Sequence, residues 1–138
     1  MTVYTSQAPH EGAEWCFPLA AAGGVARERG ADYDRRWLVV DGDGRWLSRA
    51  DCPRLQEIEV ELRLGYLVLR APGMLRLDIP LDVIEDDDSV RRTVTVGAQA
   101  VDAVDEGDLA AAWLTGFLER PCRLAKVHPE APPVAWPD

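Results

Sequence analysis

The strongest constraint on the fold is a strict alternation of apolar and charged residues over Glu57–Leu64. Four apolar side chains alternate there with three glutamates and one arginine. A period of two places the apolar side chains on one face of a β-strand and the charged ones on the other, wet face. Gly65 interrupts the alternation, which continues over Tyr66–Arg70 and, beyond the turn-forming residues 71–73, over Leu75–Ile79. The sequence therefore predicts a meander of short strands.

A hairpin is predicted upstream of this meander. Two short apolar segments, Arg36–Asp41 and Arg45–Ser48, flank the turn Gly42-Asp43-Gly44, in which glycine supplies the positive φ that tight hairpin turns need. The turn lacks the later ligand positions of an EF-hand loop, so calcium binding is not expected. The remaining strand predictions are Val90–Val96, Ala98–Ala103 and Cys122–Val127.

One segment, from about residue 105 to 120, has the pattern of an α-helix. Asp105 is placed to cap it, Asp108 favours the positive end of the helix dipole, and Pro121 ends it. The apolar stripe expected to face the protein's own core is Leu109, Trp113 and Phe117. Many short strands with one late helix indicate a mainly β fold. We expect a small closed or partly open β-barrel of mixed, mostly antiparallel short strands.

The length of 138 residues allows one compact domain. We predict an N-terminal tail over residues 1–13, a barrel domain over residues 14–127, and a C-terminal tail over residues 128–138, which contain four prolines. The uncharged segment Trp15–Ala26 is too short and too broken to span a bilayer, and no basic residue precedes it as a secretory signal requires. We therefore expect a soluble, cytoplasmic protein.

Composition disfavours several classes of function. Lysine and arginine number 15 against 24 aspartates and glutamates, and the net charge of −9 disfavours binding to nucleic acid or to an anionic membrane. Lys126 is the only lysine, so every other basic side chain is a guanidinium suited to bidentate pairing with a carboxylate or a phosphate. No phosphate-binding loop of the usual nucleotide enzymes is present.

Metal-ligating and nucleophilic residues are scattered along the chain. The cysteines are Cys16, Cys52 and Cys122. Their wide spacing predicts reduced thiols and no zinc site. His10 and His128 lie in the predicted tails without partners for a catalytic triad, and the five carboxylates of Asp82–Asp88 favour a solvated loop over a site for a cation or a basic partner. We therefore predict no catalytic residue, no metal site and no enzyme.

A cluster of charges before the apolar strand is the strongest candidate site. It consists of Asp32, Asp34, Arg35 and Arg36. Alternation places Arg35 and Arg36 on opposite faces of the strand, so that one of them points inward or toward a rim. That arginine is either paired with an aspartate, as a structural element, or available to an anionic ligand. Both alternatives stay open at this point.

Several separated segments carry a family resemblance by their order and spacing. They are Phe17-Pro18-Leu19, Gly24-Val25, Asp34 to Arg45 (DRRWLVVDGDGR), Pro53-Arg54-Leu55, Gly107 to Leu118, and Pro121 to Leu124 (PCRL). Together they resemble the MOSC N-terminal β-barrel domain over roughly residues 14–127. This module precedes the catalytic MOSC domain in molybdenum-cofactor proteins such as the amidoxime-reducing enzymes.

The resemblance implies a module that lies beside a molybdopterin-type cofactor. In members of the family, the catalytic MOSC domain that follows the barrel contains the cysteine that binds molybdenum or holds a sulfur atom. We expect this chain to lack that domain and Cys122 not to be that cysteine. The family's Lys-Ser pair, which helps hold the anionic pterin, corresponds to Ala20 and Ala21, so cofactor affinity should fall at least about tenfold. Arg35 matches a retained arginine.

The sequence thus favours a non-catalytic accessory or binding module with a degenerate molybdopterin site for an anionic small molecule. Arg35 and Arg36 are its candidate cofactor-binding residues, and no cofactor is expected in isolation. The alternative is one half of a split molybdenum-cofactor enzyme. In that case the chain would pair with a separate catalytic MOSC subunit through a barrel face or through the Leu109, Trp113 and Phe117 side of the helix.

Overall fold

A computed structural model describes residues 14–82 and 90–137. The strands are β1 (Trp15–Cys16), β2 (Val25–Ala26), β3 (Trp37–Asp41), β4 (Glu59–Arg63), β5 (Tyr66–Arg70), β6 (Leu77–Pro80), β7 (Arg91–Val96), β8 (Gln99–Asp105) and β9 (Cys122–Val127). The α-helices are α1 (Arg27–Gly30) and α2 (Asp108–Leu118), and short 3-10 helices cover Ala31–Tyr33 and Pro53–Glu57. The sequence predicted only α2 among these helices.

The strands form a mainly antiparallel, partly open barrel, as predicted. One sheet has the order β3-β9-β8-β7, a second has the order β4-β5-β6, and β1 pairs with β2. Every pairing between these strands is antiparallel, while isolated parallel bridges join Leu19 to Trp37 and Arg45 to Thr95. In the first sheet β9 lies between β3 and β8. Both of its faces are covered, which explains its nearly continuous apolar sequence.

The sheet β3-β9-β8-β7 separates two apolar clusters. Trp37 and Val39 of β3 face the first cluster, which also contains the buried face of α2 and the apolar side of the three-stranded meander. Leu38 and Val40 face the second cluster on the opposite side of the same sheet. Successive strand residues point to opposite faces, so the apolar run of β3 supplies both cores at once.

The meander is confirmed, but its strands are shorter than predicted. Residues Pro53–Glu57 form a 3-10 helix, so β4 begins only at Glu59. Leu64 is 85% exposed and adopts a φ of 54°, and Gly65 follows with a φ of 84°. Two successive residues of positive φ make the tight turn between β4 and β5, and this turn removes Leu64 from the core face. Leu75, 87% exposed, likewise precedes β6 and lies outside the core.

The turn and the first strand of the upstream hairpin are confirmed, but the predicted second strand Arg45–Ser48 forms only isolated bridges. Gly44 has a φ of 79°, and the Asp41 carboxylate accepts hydrogen bonds from the backbone N–H groups of Asp43 (2.8 Å) and Arg45 (3.0 Å). Beyond the turn, Trp46 pairs with Val40 only as an isolated bridge. The Asp41 carboxylate therefore stabilises the turn by accepting hydrogen bonds from its backbone.

Helix α2 begins three residues later than predicted. Asp105 ends strand β8, and its carboxylate accepts the Gly107 N–H and pairs with Arg123. The residue before the helix is Gly107, with a φ of 104° and no side-chain cap. Leu109 is 76% exposed, which contradicts its predicted place in the core, whereas Trp113 and Phe117 are buried as predicted.

The three cysteines are free and buried, as expected for reduced thiols. The predicted N-terminal tail with His10, and all of the acidic segment Asp82–Asp88 except its first residue, lie outside the described residues. Asp82 accepts a hydrogen bond from the Tyr33 hydroxyl at 2.8 Å. Within the described ranges, no helix has the length and apolarity needed to cross a membrane.

Candidate anion-binding cleft

The backbone at Arg35 takes a conformation that non-glycine residues rarely adopt. Its φ is 52°, in the left-handed region. Two hydrogen bonds with Phe17 fix this turn: the Arg35 N–H donates to the Phe17 carbonyl (2.8 Å), and the Phe17 N–H donates to the Asp34 carboxylate (2.8 Å). Asp34 is therefore engaged by the backbone of an adjacent segment.

Arg35 and Arg36 both contribute to the lining of one cleft. The Arg35 guanidinium lies over the ring of Trp136, which packs on the second apolar cluster. The Arg36 charge instead acts on Tyr33 and Lys126, on the side of the first cluster. Strand β3 begins only at Trp37, and the Arg36 N–H closes a turn by donating to the Tyr33 carbonyl at 3.0 Å. The turn therefore places both arginines immediately before the first residue of β3.

The cleft, which we call the Arg35 cleft, lies where β3 begins and β9 ends and has a volume of about 180 Å³. Its lining is Asp34, Arg35, Arg36, Val127, His128, Pro129, Ala131, Pro132, Pro133, Val134 and Trp136. Seven of these residues come from the segment 129–136 and its neighbour His128. The region predicted to be a C-terminal tail thus supplies one whole wall of the cleft.

The segment 128–137 has no helix or strand but is fastened to the sheet. The Gln99 side chain holds the backbone of Ala135 through two hydrogen bonds, one to its carbonyl (3.0 Å) and one from its N–H (3.1 Å). Trp136 meets Trp46 edge to face, with ring centroids 5.1 Å apart. Together with Val134, Trp136 packs against the second apolar cluster. The sequence signal for this packing was the pair of apolar residues Val134 and Trp136 among the prolines.

His128 is only 9% exposed and lies at the base of this segment. Its N–H donates to the Asp102 carbonyl at 3.0 Å, and its Nδ1 accepts the Glu130 N–H at 3.1 Å. An accepting Nδ1 leaves the proton of the neutral ring on Nε2. The sequence analysis treated His128 as a tail residue without function, whereas the structure places it in the wall of the Arg35 cleft.

The polar groups of the cleft carry a local excess of positive charge. The Arg35 guanidinium lies 5.7 Å from the centre of the Trp136 ring, in the range of a cation–π contact. Arg36 donates a long hydrogen bond of 3.5 Å to the Asp32 carbonyl. The carboxylate among the described lining residues is that of Asp34, which is hydrogen-bonded to the Phe17 N–H. In the described part of the chain, arginines thus outnumber carboxylates in the lining, although the net charge of the whole chain is −9.

The positions corresponding to the family's Lys-Ser pair offer no group to an anion. Ala20 is fully buried in the second apolar cluster, and its N–H donates to the Trp37 carbonyl at 2.9 Å. Ala21 has a φ of 77°, and its carbonyl accepts a hydrogen bond from Arg49 Nε at 3.1 Å. The Arg49 guanidinium also packs over the Phe17 ring, so it serves to hold this loop.

Lys126 lies on the side of β9 that faces the first apolar cluster and is 4% exposed. Its Nζ donates to the Leu81 carbonyl at 2.5 Å and lies 5.2 Å from the centre of the Trp37 ring. Burial lowers the pKa of Lys126 below its usual value, while the Glu106 carboxylate, which accepts the Trp37 indole N–H, opposes that shift. The single lysine is thus a buried cation within the barrel.

A second basic cleft, of about 330 Å³, is lined by Arg91, Arg92, Thr93 and Asp102. Arg91 forms two hydrogen bonds to the Asp102 carboxylate, and these hold the pKa of Asp102 below its usual range. The Arg92 guanidinium donates a hydrogen bond to the Arg91 carbonyl at 2.8 Å. Among the described residues, no cluster of histidine, cysteine or carboxylate side chains has the arrangement of a metal site.

The fold and the cleft together define a small antiparallel β-barrel module with a basic cleft beside the start of β3. The profile of the MOSC N-terminal beta barrel domain matches residues 15–121, and the chain belongs to this family.

Relatives and a solved structure agree with this assignment. The chain is 36% identical to the human protein named molybdenum cofactor sulfurase over 100 residues, which are 71% of this chain and 11% of that protein. It is 34% identical to mitochondrial amidoxime-reducing component 1 of Danio rerio over 102 residues, 72% of this chain and 30% of that protein. It thus spans a third or less of these relatives. The solution structure of a Bordetella bronchiseptica protein is 56% identical, with a TM-score of 0.77, and the match covers 93% of this chain and 98% of that one.

Proposed function

We propose that this chain is a non-catalytic accessory module that binds an anionic ligand in the Arg35 cleft through Arg35 and Arg36. The observation that supports the proposal is the Arg35 cleft, whose lining includes Arg35, at a left-handed backbone position, and the adjacent Arg36. Rarely adopted backbone conformations concentrate at functional sites, where the surrounding structure fixes them. Membership of a family of N-terminal barrel domains, whose relatives are named for the molybdenum cofactor, supports an accessory role.

The anionic character of the ligand follows from the donors of the cleft. A guanidinium presents a planar fork of N–H donors that matches the oxygens of a carboxylate or phosphate. Among the described residues of the lining, the carboxylate is that of Asp34, which accepts the Phe17 N–H. The arginines of the lining therefore favour an anionic ligand over a cation.

Calorimetric titration of the full chain with inorganic phosphate at low salt tests this function. We expect saturable binding in the wild type, and at least about tenfold weaker binding in Arg35→Ala and in Arg36→Ala, because each loses a charge-assisted hydrogen bond of about 1.5–3 kcal/mol. Arg92→Ala is the matched control, since it removes the same charge from the other basic cleft. Unchanged affinity in both cleft variants, or an equal loss in the control, would refute the proposal.

A second candidate is pairing with a separate catalytic MOSC subunit, and one observation favours it. Leu75 and Leu109 are both largely exposed, and both border Trp113. Leu109 lies one helical turn before Trp113, whose indole N–H donates to the Leu75 carbonyl at 2.5 Å. Trp113 and Phe117 are buried, so a partner would contact the two leucines rather than the whole predicted stripe.

This pairing is tested by copurification with a catalytic MOSC subunit from the same source. The expected result is a complex that the double variant Leu75→Asp, Leu109→Asp abolishes while the fold remains intact. Leu64→Asp, an equally exposed leucine at the β4–β5 turn, is the control. A complex that survives the double variant would show that these leucines are not the contact.

A further inference from the structure

One face of the sheet β3-β9-β8-β7 is covered by the C-terminal segment of the chain. Helix α2 contributes to the first apolar cluster, on the opposite face. The second cluster is built, apart from Ala20, from residues of the four strands, and the described residues that pack on it are Trp46, Ala131, Val134 and Trp136. We call this surface, with Gln99 at its border, the Trp46 face. Contiguous apolar surface of this kind is typical of an interaction site.

The C-terminal segment lies on the Trp46 face in the manner of an extended peptide. Val134 and Trp136 are partly buried against the second cluster, whereas Ala135 between them and the prolines on either side are exposed. Burial that alternates with a period of two is that of an extended chain with one side on a surface. The residues that read the face are therefore Val134 and Trp136.

The Gln99 side chain binds the backbone of this peptide. Its Nε2 donates to the Ala135 carbonyl at 3.0 Å, and its Oε1 accepts the Ala135 N–H at 3.1 Å. A neighbouring antiparallel strand exchanges the same two hydrogen bonds with one residue. Main-chain hydrogen bonds of this kind give affinity without regard to sequence, while the flanking side chains give specificity.

The aromatic contacts of the face favour tryptophan at the position of Trp136. Its ring meets Trp46 edge to face, with the centroids 5.1 Å apart, and the Arg35 guanidinium lies 5.7 Å from its centre. Trp46 is held to the sheet because its N–H donates to the Thr95 carbonyl at 2.8 Å. An aliphatic side chain at position 136 would make neither the aromatic contact nor the contact with the guanidinium.

The segment is fastened to the face through side chains. Among the described residues, no backbone–backbone hydrogen bond joins residues 132–137 to the sheet, and the Ala131 N–H closes a turn by donating to the His128 carbonyl. Segments held by few hydrogen bonds open locally at a lower cost than the strands of a sheet. Because the segment is tethered, its high effective concentration makes it a competitor of any second peptide.

We propose that the Trp46 face is a peptide-recognition surface that the chain's own C-terminal segment occupies in competition with a partner. The partner is a separate protein with an extended, proline-containing segment in which a tryptophan follows a branched apolar residue by two positions. The chemistry of this ligand is that of the segment seen on the face. The interaction does not depend on the proposed binding of an anion.

The test uses the full chain and a fluorescently labelled peptide with the sequence of residues 129–137, followed by anisotropy. In Trp136→Ala the chain's own segment loses its aromatic anchor, so the peptide should bind at least about tenfold more tightly than to the wild type. Val134→Asp should increase peptide affinity in the same way. A peptide that itself carries the Trp136→Ala change should bind at least about tenfold more weakly than the original peptide.

Two glutamine variants show where the peptide binds. In the Trp136→Ala background, Gln99→Ala should weaken peptide binding by about fivefold or more, because both hydrogen bonds to the peptide backbone are lost. Gln56→Ala removes the same side chain at an exposed position of the 3-10 helix Pro53–Glu57 and should leave peptide affinity unchanged. In the wild type, a large excess of peptide should shift the side-chain amide resonances of Gln99.

Three results would overturn the proposal. The first is a wild type whose Gln99 amide resonances do not respond to excess peptide. The second is a peptide affinity that rises in neither Trp136→Ala nor Val134→Asp, or that falls equally in the two glutamine variants. The third is a wild-type dimer that Gln99→Ala dissociates, because the segment would then be exchanged between two copies of this chain.

Discussion

Arg35 occupies a backbone conformation in which glycine would be favoured. For a residue with a Cβ, the left-handed region costs roughly 1–2 kcal/mol relative to the right-handed helical region. The hydrogen bonds between Phe17 and the Asp34–Arg35 turn offset that cost, and they would form equally well with glycine at position 35. The side chain, rather than the turn, is therefore what arginine contributes here.

This leads to a prediction about two substitutions at one position. Arg35→Gly should be more stable than Arg35→Ala by about 1 kcal/mol, because glycine adopts a positive φ without strain. Both variants should lose phosphate binding to the same extent. Urea unfolding gives the stability difference and calorimetry gives the binding. Equal free energies of unfolding for the two variants would contradict the claim that the backbone at position 35 is strained for a residue with a Cβ.

Lys126 gives a prediction about pH. Its pKa in the folded state is lowered below the unfolded value of 10.5, mainly by burial. The unfolded chain therefore binds more protons between these two pKa values, and the free energy of unfolding should rise with pH in that window. Among the neighbouring charges, Arg36 also lowers the pKa of Lys126, whereas Glu106 and Asp82 raise it.

The comparison variant is Lys126→Met, which keeps much of the side-chain volume without the charge. We expect the stability of the wild type, relative to this variant, to increase as the pH rises from neutral toward 10.5, measured by urea unfolding at each pH. At pH values below the lowered pKa of Lys126, the difference in stability between the wild type and Lys126→Met should not depend on pH. A relative stability that falls as the pH rises would show that the folded state raises the pKa of Lys126.

The sequence predicted the candidate arginines but not the conformation of the turn on which they lie. Their charge and their place before an apolar strand were sufficient to select Arg35 and Arg36. Nothing in the sequence marks Arg35 as left-handed. That conformation depends on Phe17, a residue distant in sequence that reaches the turn only in the folded barrel.

At the scale of elements, helix α2 shows what fixes the orientation of an amphipathic helix. The periodicity of its apolar residues indicated the correct face for Trp113 and Phe117. It failed at Leu109, which lies in the first turn of the helix and is largely exposed. The sequence also placed the start of the helix too early, because Asp105 belongs to strand β8 and pairs with Arg123.

Truncation of a side chain at either end of the predicted apolar stripe of α2, Phe117 or Leu109, should have very different effects on the free energy of unfolding of the protein. Phe117→Ala should lower the free energy of unfolding by about 3–5 kcal/mol, since a buried aromatic ring leaves a cavity. Leu109→Ala should change it by less than about 0.5 kcal/mol, as for an exposed surface position. Urea unfolding measures both. A large loss in Leu109→Ala would mean that the side chain is buried in solution.

Strand prediction worked where the chain alternates and failed at the turns. The register of β4 with β5 follows the apolar alternation of Val60 and Leu62, and β9 has the predicted bounds. Leu64 and Leu75 matched the same pattern but lie in connections, where backbone geometry overrides hydrophobicity. A period of two cannot show where a strand stops unless a strong turn signal coincides with the end.

At the scale of the whole molecule, two apolar clusters share one sheet, and the C-terminal segment covers part of the second. Because prolines exclude helix and central strand, the sequence suggested a tail. Yet Val134 and Trp136 supply enough apolar surface to pack on the sheet without regular structure. This packing builds the Arg35 cleft from residues 34–36 and 127–136, which are far apart in the sequence, so no local pattern could reveal it.

The most direct measurement of the central claim is a titration of the isotope-labelled full chain with inorganic phosphate, followed by backbone amide chemical shifts. We predict saturable shifts at Arg35, Arg36 and His128 with a single affinity, and little change at Arg91 and Arg92 of the other basic cleft. Shifts confined to Arg91 and Arg92, or no saturable shift at the Arg35 cleft, would contradict the account.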